Sequence, residues 1–141
     1  MHLQNFYAET MINGGCSYNL ETGEFNPNEG YFVSLPNKEL KVSIERFNPE
    51  IVRNFIMSNI ETLTNVPDMF VGSWVDDDKV YLDVSQKIFS KEDALRKGIL
   101  ANQLAIYDAN KGEVINLPTP QKSGTMYQQQ TYLNMKIREL L

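Results

Sequence analysis

The chain has 141 residues, 42% hydrophobic and 22% charged, with a net charge of −5. That is the size of one ordinary domain, apolar enough to bury a core and too apolar to stay disordered. The acidity excludes a general nucleic-acid binder, which neutralises phosphates with a basic surface, and is too mild for a mimic of DNA's phosphate density.

Residues 1–30 carry small-residue and turn signals: Gly14-Gly15-Cys16-Ser17, Glu21-Thr22-Gly23-Glu24 and Asn26-Pro27-Asn28-Glu29-Gly30. Short strands are predicted between them at Tyr18-Asn19-Leu20 and near Phe25. Tyr31–Leu35 is rich in aromatic and β-branched residues and reads as a strand. Pro36-Asn37-Lys38 turns it into Leu40–Ile44, whose alternation predicts one buried and one wet face. Asn48-Pro49-Glu50 starts a helix, with a capping Asn, a Pro at the first helical position and an acid at the positive end of the dipole. Val52, Phe55, Ile56, Ile60 and Leu63 recur at helical spacing, and Pro67 marks the exit.

Phe70–Val75 and Val80–Ser85 form a hairpin around the acidic turn Asp76-Asp77-Asp78-Lys79. Ser90, with Asp93 three residues on, caps a helix to about Asn102. Its small residues Ala94, Gly98 and Ala101, beside Leu95 and Ile99, would let it lie close to a sheet. Leu104–Tyr107 and Val114–Leu117 are strands joined by the turn Ala109-Asn110-Lys111-Gly112. Pro118-Thr119-Pro120 then breaks the pattern, and residues 125–141 are helix-compatible. The fold class is therefore α+β: a mixed, mainly antiparallel sheet of about six strands with two packed helices in a single domain, residues 1–117. Residues 118–141 supply a Pro-marked linker and a C-terminal helix.

No apolar run approaches the roughly 20 residues that a membrane span needs. The start, Met1-His2-Leu3-Gln4-Asn5-Phe6, lacks the basic and apolar regions of a signal peptide. A lone cysteine, Cys16, fits a reducing interior, so a cytoplasmic protein is expected. Residues 1–117 hold 17 acids and 10 bases, whereas residues 118–141 hold one acid and three bases.

Few residues carry recognisable chemistry. The single histidine, His2, sits at a chain terminus, a poor place for a preorganised catalytic base. One Cys and one His cannot assemble the usual zinc site, and no glycine-rich phosphate loop is present. Cys16 reads either as an accessible thiol on a Gly-rich turn or, without a histidine or basic cluster beside it, as a small residue beginning a strand. Asp76, Asp77 and Asp78 could bind a hard cation, but they match no calcium-loop spacing and suit a hairpin turn. They could also face a basic partner. Asp83 alternates outward from Val80, Leu82 and Val84, and Asp108 ends a strand; such a pair could do acid–base work if it lay close together. No cofactor and no catalytic residue is assigned.

Partner binding has more candidates. Trp74, Tyr81 and Tyr107 lie in the best-defined strands and could form an exposed aromatic face, although aromatics in small sheets more often fill the core. Met126, Leu133, Ile137, Leu140 and Leu141 fall near one helical stripe beyond the Pro-rich break. That stripe has no obvious place in a finished core, so Leu133, Ile137 and Leu140 are expected to serve homo-oligomerisation or partner docking, with packing onto the chain's own domain as the rival.

Gly72-Ser73-Trp74-Val75, Lys79-Val80-Tyr81-Leu82-Asp83-Val84-Ser85, Glu92-Asp93-Ala94-Leu95 and Asn102-Gln103-Leu104-Ala105-Ile106-Tyr107-Asp108 together resemble a module of small accessory proteins from bacteriophages, prophages and conjugative elements. The likeness covers about residues 70–117, with an echo at Gly30–Leu35, and rests on packing and turn residues. It implies an accessory protein that binds and blocks a host defence component, and the lack of a catalytic motif points to a non-enzymatic one. Such a protein would act by protein–protein binding, for instance to inhibit a CRISPR or restriction system. The alternatives are a small-ligand or divalent-metal-dependent enzyme using the carboxylates Asp76–Asp78, Asp83 and Asp108, and a structural component of a phage particle.

Overall fold

A computed structural model describes residues 3–141. His2 lies outside the described residues. In chain order the elements are α1 (Leu3–Asn13), β1 (Gly15–Tyr18), β2 (Tyr31–Ser34), β3 (Leu40–Ser43), α2 (Pro49–Ser58), α3 (Ile60–Asn65), β4 (Met69–Asp76), β5 (Lys79–Ile88), α4 (Lys91–Leu100), β6 (Ala105–Asp108), β7 (Glu113–Asn116) and α5 (Met126–Leu140). The chain is α+β, with antiparallel strand pairing and a C-terminal helix. It forms two compact units: residues 1–27 with 37–86, and residues 28–36 with 87–141. None of the described helices is long and apolar enough to cross a membrane.

In the first unit the strands run β3-β5-β4-β1. One face is packed by helices, because Val80, Leu82 and Val84 alternate into it and are fully buried, as their spacing predicts. The helix from Asn48 forms as expected. The Asn48 side chain accepts a hydrogen bond from the Ile51 N–H at 3.0 Å, and Pro49 occupies the first turn. The predicted single helix is broken, however, at Asn59, whose side chain turns back to donate to the Phe55 carbonyl at 2.9 Å. Helix α1 falls in a stretch, before the turn at Gly14, for which the sequence predicts no element. It buries just Phe6 and Thr10, too thin a stripe to announce itself. Strand β3 also departs from expectation: Leu40 is exposed and Val42 only half-buried, since this short strand pairs with the first half of β5 alone.

In the second unit β6 pairs with both β2 and β7. Ser90 caps α4 by accepting from the Asp93 N–H at 3.2 Å. The small stripe of α4 works as expected: a Cβ on Gly98 would sit 2.6 Å from Leu117 Cδ1 and 2.8 Å from Ile106 Cγ2. Helix α5 opens with a full capping box, in which Thr125 and Gln128 each accept the other's backbone N–H.

The tail helix corrects the sequence reading. Leu133 and Ile137 are 5% and 2% exposed and share one core with Val33, Ala94, Leu95, Ile99 and Ile106. Leu140 packs against the same cluster. The physical reason is that Ala94, Leu95 and Ile99 of α4, with Val33 and Ile106, make an apolar cluster that needs a cover, and α5 supplies it. The three residues are spent inside their own unit, which removes the premise of a free docking ridge.

Candidate functional site

The open end of the first unit's second face carries a ladder of side chains in register. Gly15 lies opposite Trp74, Trp74 opposite Tyr81, and Tyr81 opposite Lys41. The hairpin creates the central pair. Asp76 pairs with Lys79 around the two-residue loop Asp77-Asp78, and counting back brings Trp74 beside Tyr81. Asp77 supports that loop with a φ of 58°, a conformation that Asp tolerates.

The Trp74 and Tyr81 rings stack with centroids 4.1 Å apart and planes only 8° from parallel. Lys41 Nζ lies 5.9 Å from the Tyr81 centroid, within reach of a cation–π attraction. Trp74 nevertheless remains 42% exposed, a large apolar surface left on the outside of a small sheet. Of the two aromatic fates weighed from sequence, Trp74 takes the exposed one.

Carboxylates border this ladder. Gly72 precedes Trp74 on the same face, and a Cβ there would collide with Asp83 Oδ1. The missing side chain therefore leaves the Asp83 carboxylate room to lean across β4 at Gly72, one same-face position from Trp74. Asp83 Oδ2 accepts from the Ser85 hydroxyl at 3.4 Å. Burial first, and then the Asp83 charge, hold the Glu39 carboxyl above its usual range, with Lys41 acting in the opposite direction. Beyond Lys41 the surface changes sign: a hollow of about 630 Å³ is lined by Lys41, Arg46 and Lys79 together with Glu45.

The remaining candidates have local structural employment. Asp108, in the second unit, is 3% exposed and uses Oδ1 to accept from Asn110 N, Asn110 Nδ2 and Lys111 N at 2.9, 3.0 and 3.3 Å. That is a turn cap. Asp76, Asp77 and Asp78 build the hairpin turn, where Asp78 lies 4.0 Å from the Lys79 ammonium. No cluster of three His, Cys, Asp or Glu side chains able to hold a metal ion occurs among the described residues.

Cys16 is buried in β1, the bland outcome of the two weighed for it. Its sulfur sits 3.5 Å from Ser73 Oγ and 3.8 Å from Thr10 Oγ1. Burial pushes the thiol up despite these hydrogen bonds, so it is a poor nucleophile. Tyr107 and Val114, cross-strand neighbours in the second unit, are both exposed.

Sequence reading found Trp74, Tyr81 and the acidic turn but missed Gly15, Lys41 and Glu39. The hairpin arithmetic was available in the sequence. The pairing of Gly15 with Trp74 spans most of the unit's chain and left no local signal. Comparison of the chain with protein families, with curated proteins and with solved structures finds no match.

Proposed function

We propose that this chain is a non-enzymatic accessory protein of a phage or mobile element that binds a host protein. A component of a defence system such as CRISPR or restriction is the target class, and the contact is made through the Trp74–Tyr81 face. The observation that carries the reading is the exposed stack itself. A stacked Trp–Tyr pair offers a large, rigid contact area at little entropic cost, and such residues dominate binding hot spots. Its charged border gives the surrounding rim the means to select a partner. The resemblance of residues 70–117 to accessory proteins of phages and mobile elements supports the assignment to anti-defence work.

The test is co-elution. The purified chain is mixed with candidate host nucleases and sensors and run by size-exclusion chromatography, alongside Trp74→Ala and the tail-surface variant Tyr127→Ala. A complex that forms with the parent and Tyr127→Ala, and fails with a folded Trp74→Ala, supports the reading. Failure to bind any nuclease or sensor, or binding indifferent to Trp74→Ala, counts against it.

A further inference from the structure

The ladder is asymmetric in a way that specifies what it meets. At one end the order is lysine, then tyrosine, then tryptophan: Lys41 stands by Tyr81, and Tyr81 stacks on one face of Trp74. The next position, on the other side of Trp74, is Gly15, which has no side chain. It must be glycine because the backbones crowd there, where a Cβ would sit 2.5 Å from the Ser73 carbonyl oxygen. The β1 position paired with Trp74 thus sets no side chain against the indole.

Charge decides which ligand suits that face. An indole face is electron-rich and attracts cations. The Asp83 carboxylate leans over Gly72, one same-face position along β4 from Trp74, and Asp76, paired with Lys79, lies one such position on the other side. On the Lys41 side of the ladder, the hollow lined by Lys41, Arg46 and Lys79 with Glu45 carries a net positive charge, so a cation is drawn instead to the Trp74 side, where Asp83 leans over Gly72.

We propose that the Gly15 side of Trp74 receives an arginine of the partner protein. The guanidinium stacks on the indole, with the Asp83 carboxylate as its counter-charge, and completes a cation–aromatic–aromatic–cation row whose other cation is Lys41. Arginine is favoured over lysine because its planar, weakly hydrated fork can stack and form hydrogen bonds at once. The partner surface is therefore basic and arginine-bearing, the kind that contacts nucleic-acid phosphates. The inference rests on the binding role proposed above and names the partner's chemistry.

Trp74 is the chain's only tryptophan, so its emission reports on this face alone. The intact protein is titrated with capped oligo-arginine, oligo-lysine and oligo-glutamate peptides of equal length, and affinities for variants are read from the anisotropy of labelled peptide. Oligo-arginine should shift the emission saturably, oligo-lysine more weakly and oligo-glutamate not at all. Trp74→Ala and Asp83→Asn should each weaken oligo-arginine binding about threefold to fivefold, the scale of one exposed cation–π or ion-pair contact. Glu113→Gln, on β7 of the second unit, should leave it unchanged and so control for non-specific attraction to an acidic protein.

Asp83→Asn keeps the side-chain volume, so a loss of binding with an unchanged melting curve cannot be ascribed to unfolding. An emission change equal for all three peptides, or none with oligo-arginine, overturns the assignment. So does an Asp83→Asn affinity that matches Glu113→Gln. If a host effector binds in a Trp74-dependent way while oligo-arginine does nothing, the binding face stands and the arginine falls. If oligo-arginine binds as described and no effector does, the arginine chemistry stands and the defence reading falls.

Discussion

Replacing Ile137 with alanine tests whether the terminal helix belongs to the second unit's core. The side chain is 2% exposed and sits among Val33, Ala94, Leu95, Ile99, Ile106 and Leu133. The change deletes three buried carbons and leaves a cavity, because the surrounding α4 face and the neighbouring β-branched residues cannot fully collapse into it. Ile→Ala at such a site costs about 2–4 kcal/mol. At about 3 °C per kcal/mol for a chain of this size, the midpoint should drop by about 6–12 °C. Met126→Ala and Tyr127→Ala, on the same helix but 82% and 81% exposed, should stay within about 0.5 kcal/mol of the parent. Thermal and urea unfolding followed by far-ultraviolet circular dichroism gives all three values. An Ile137→Ala variant as stable as the surface controls would refute the packing argument and return the stripe to the surface.

Other consequences are as specific. Ser73→Ala removes the hydroxyl that lies 2.6 Å from Thr10 Oγ1 and accepts the Cys16 N–H at 3.2 Å, two buried hydrogen bonds; urea denaturation should show a loss of about 1–3 kcal/mol, and no loss would mean that water replaces the hydroxyl. Because burial raises the Cys16 thiol, the unfolded chain ionises first as pH climbs past about 8.5. The stability that this contributes is complete below that pH and declines above it, so Cys16→Ala should flatten the alkaline limb of a stability–pH curve. A curve unchanged by the substitution would place the decline elsewhere. Asp83→Asn should lower the Glu39 titration midpoint by removing its repelling neighbour, while the burial that is the larger cause keeps it above the usual value. A midpoint unmoved in a carboxyl-detected NMR titration would separate the two acids.

How legible each part was depends on how local its cause is. The caps at Asn48 and Ser90, the acidic hairpin turn and the alternation through Val80, Leu82 and Val84 are written in a few consecutive residues, and the structure follows them. Helix α1 was not legible because Phe6 and Thr10 alone carry its buried side, and Thr10 is held by hydrogen bonds to Phe6 O and Ser73 rather than by apolar spacing. The fate of the tail stripe was ambiguous for a different reason. Periodicity shows that Leu133 and Ile137 want cover, but not that they join Ala94, Leu95 and Ile99 of α4 to find it. At the candidate site the Trp74–Tyr81 pairing follows from turn length, whereas the bare glycine beside it depends on a strand drawn in from the far end of the sequence.

The two units are also interleaved along the gene. Residues 28–36 lie between the two segments of the first unit yet belong to the second, and they bring in β2 and the core residue Val33. No single cut can therefore release either half intact. A fragment beginning at residue 87 lacks the strand that pairs with β6 and should be recovered unfolded unless a peptide carrying Gly30–Leu35 is added back. During synthesis that strand must wait, already outside the ribosome, until β6, more than seventy residues downstream, arrives. Swapping such a half between proteins would demand a permuted gene rather than a simple fusion.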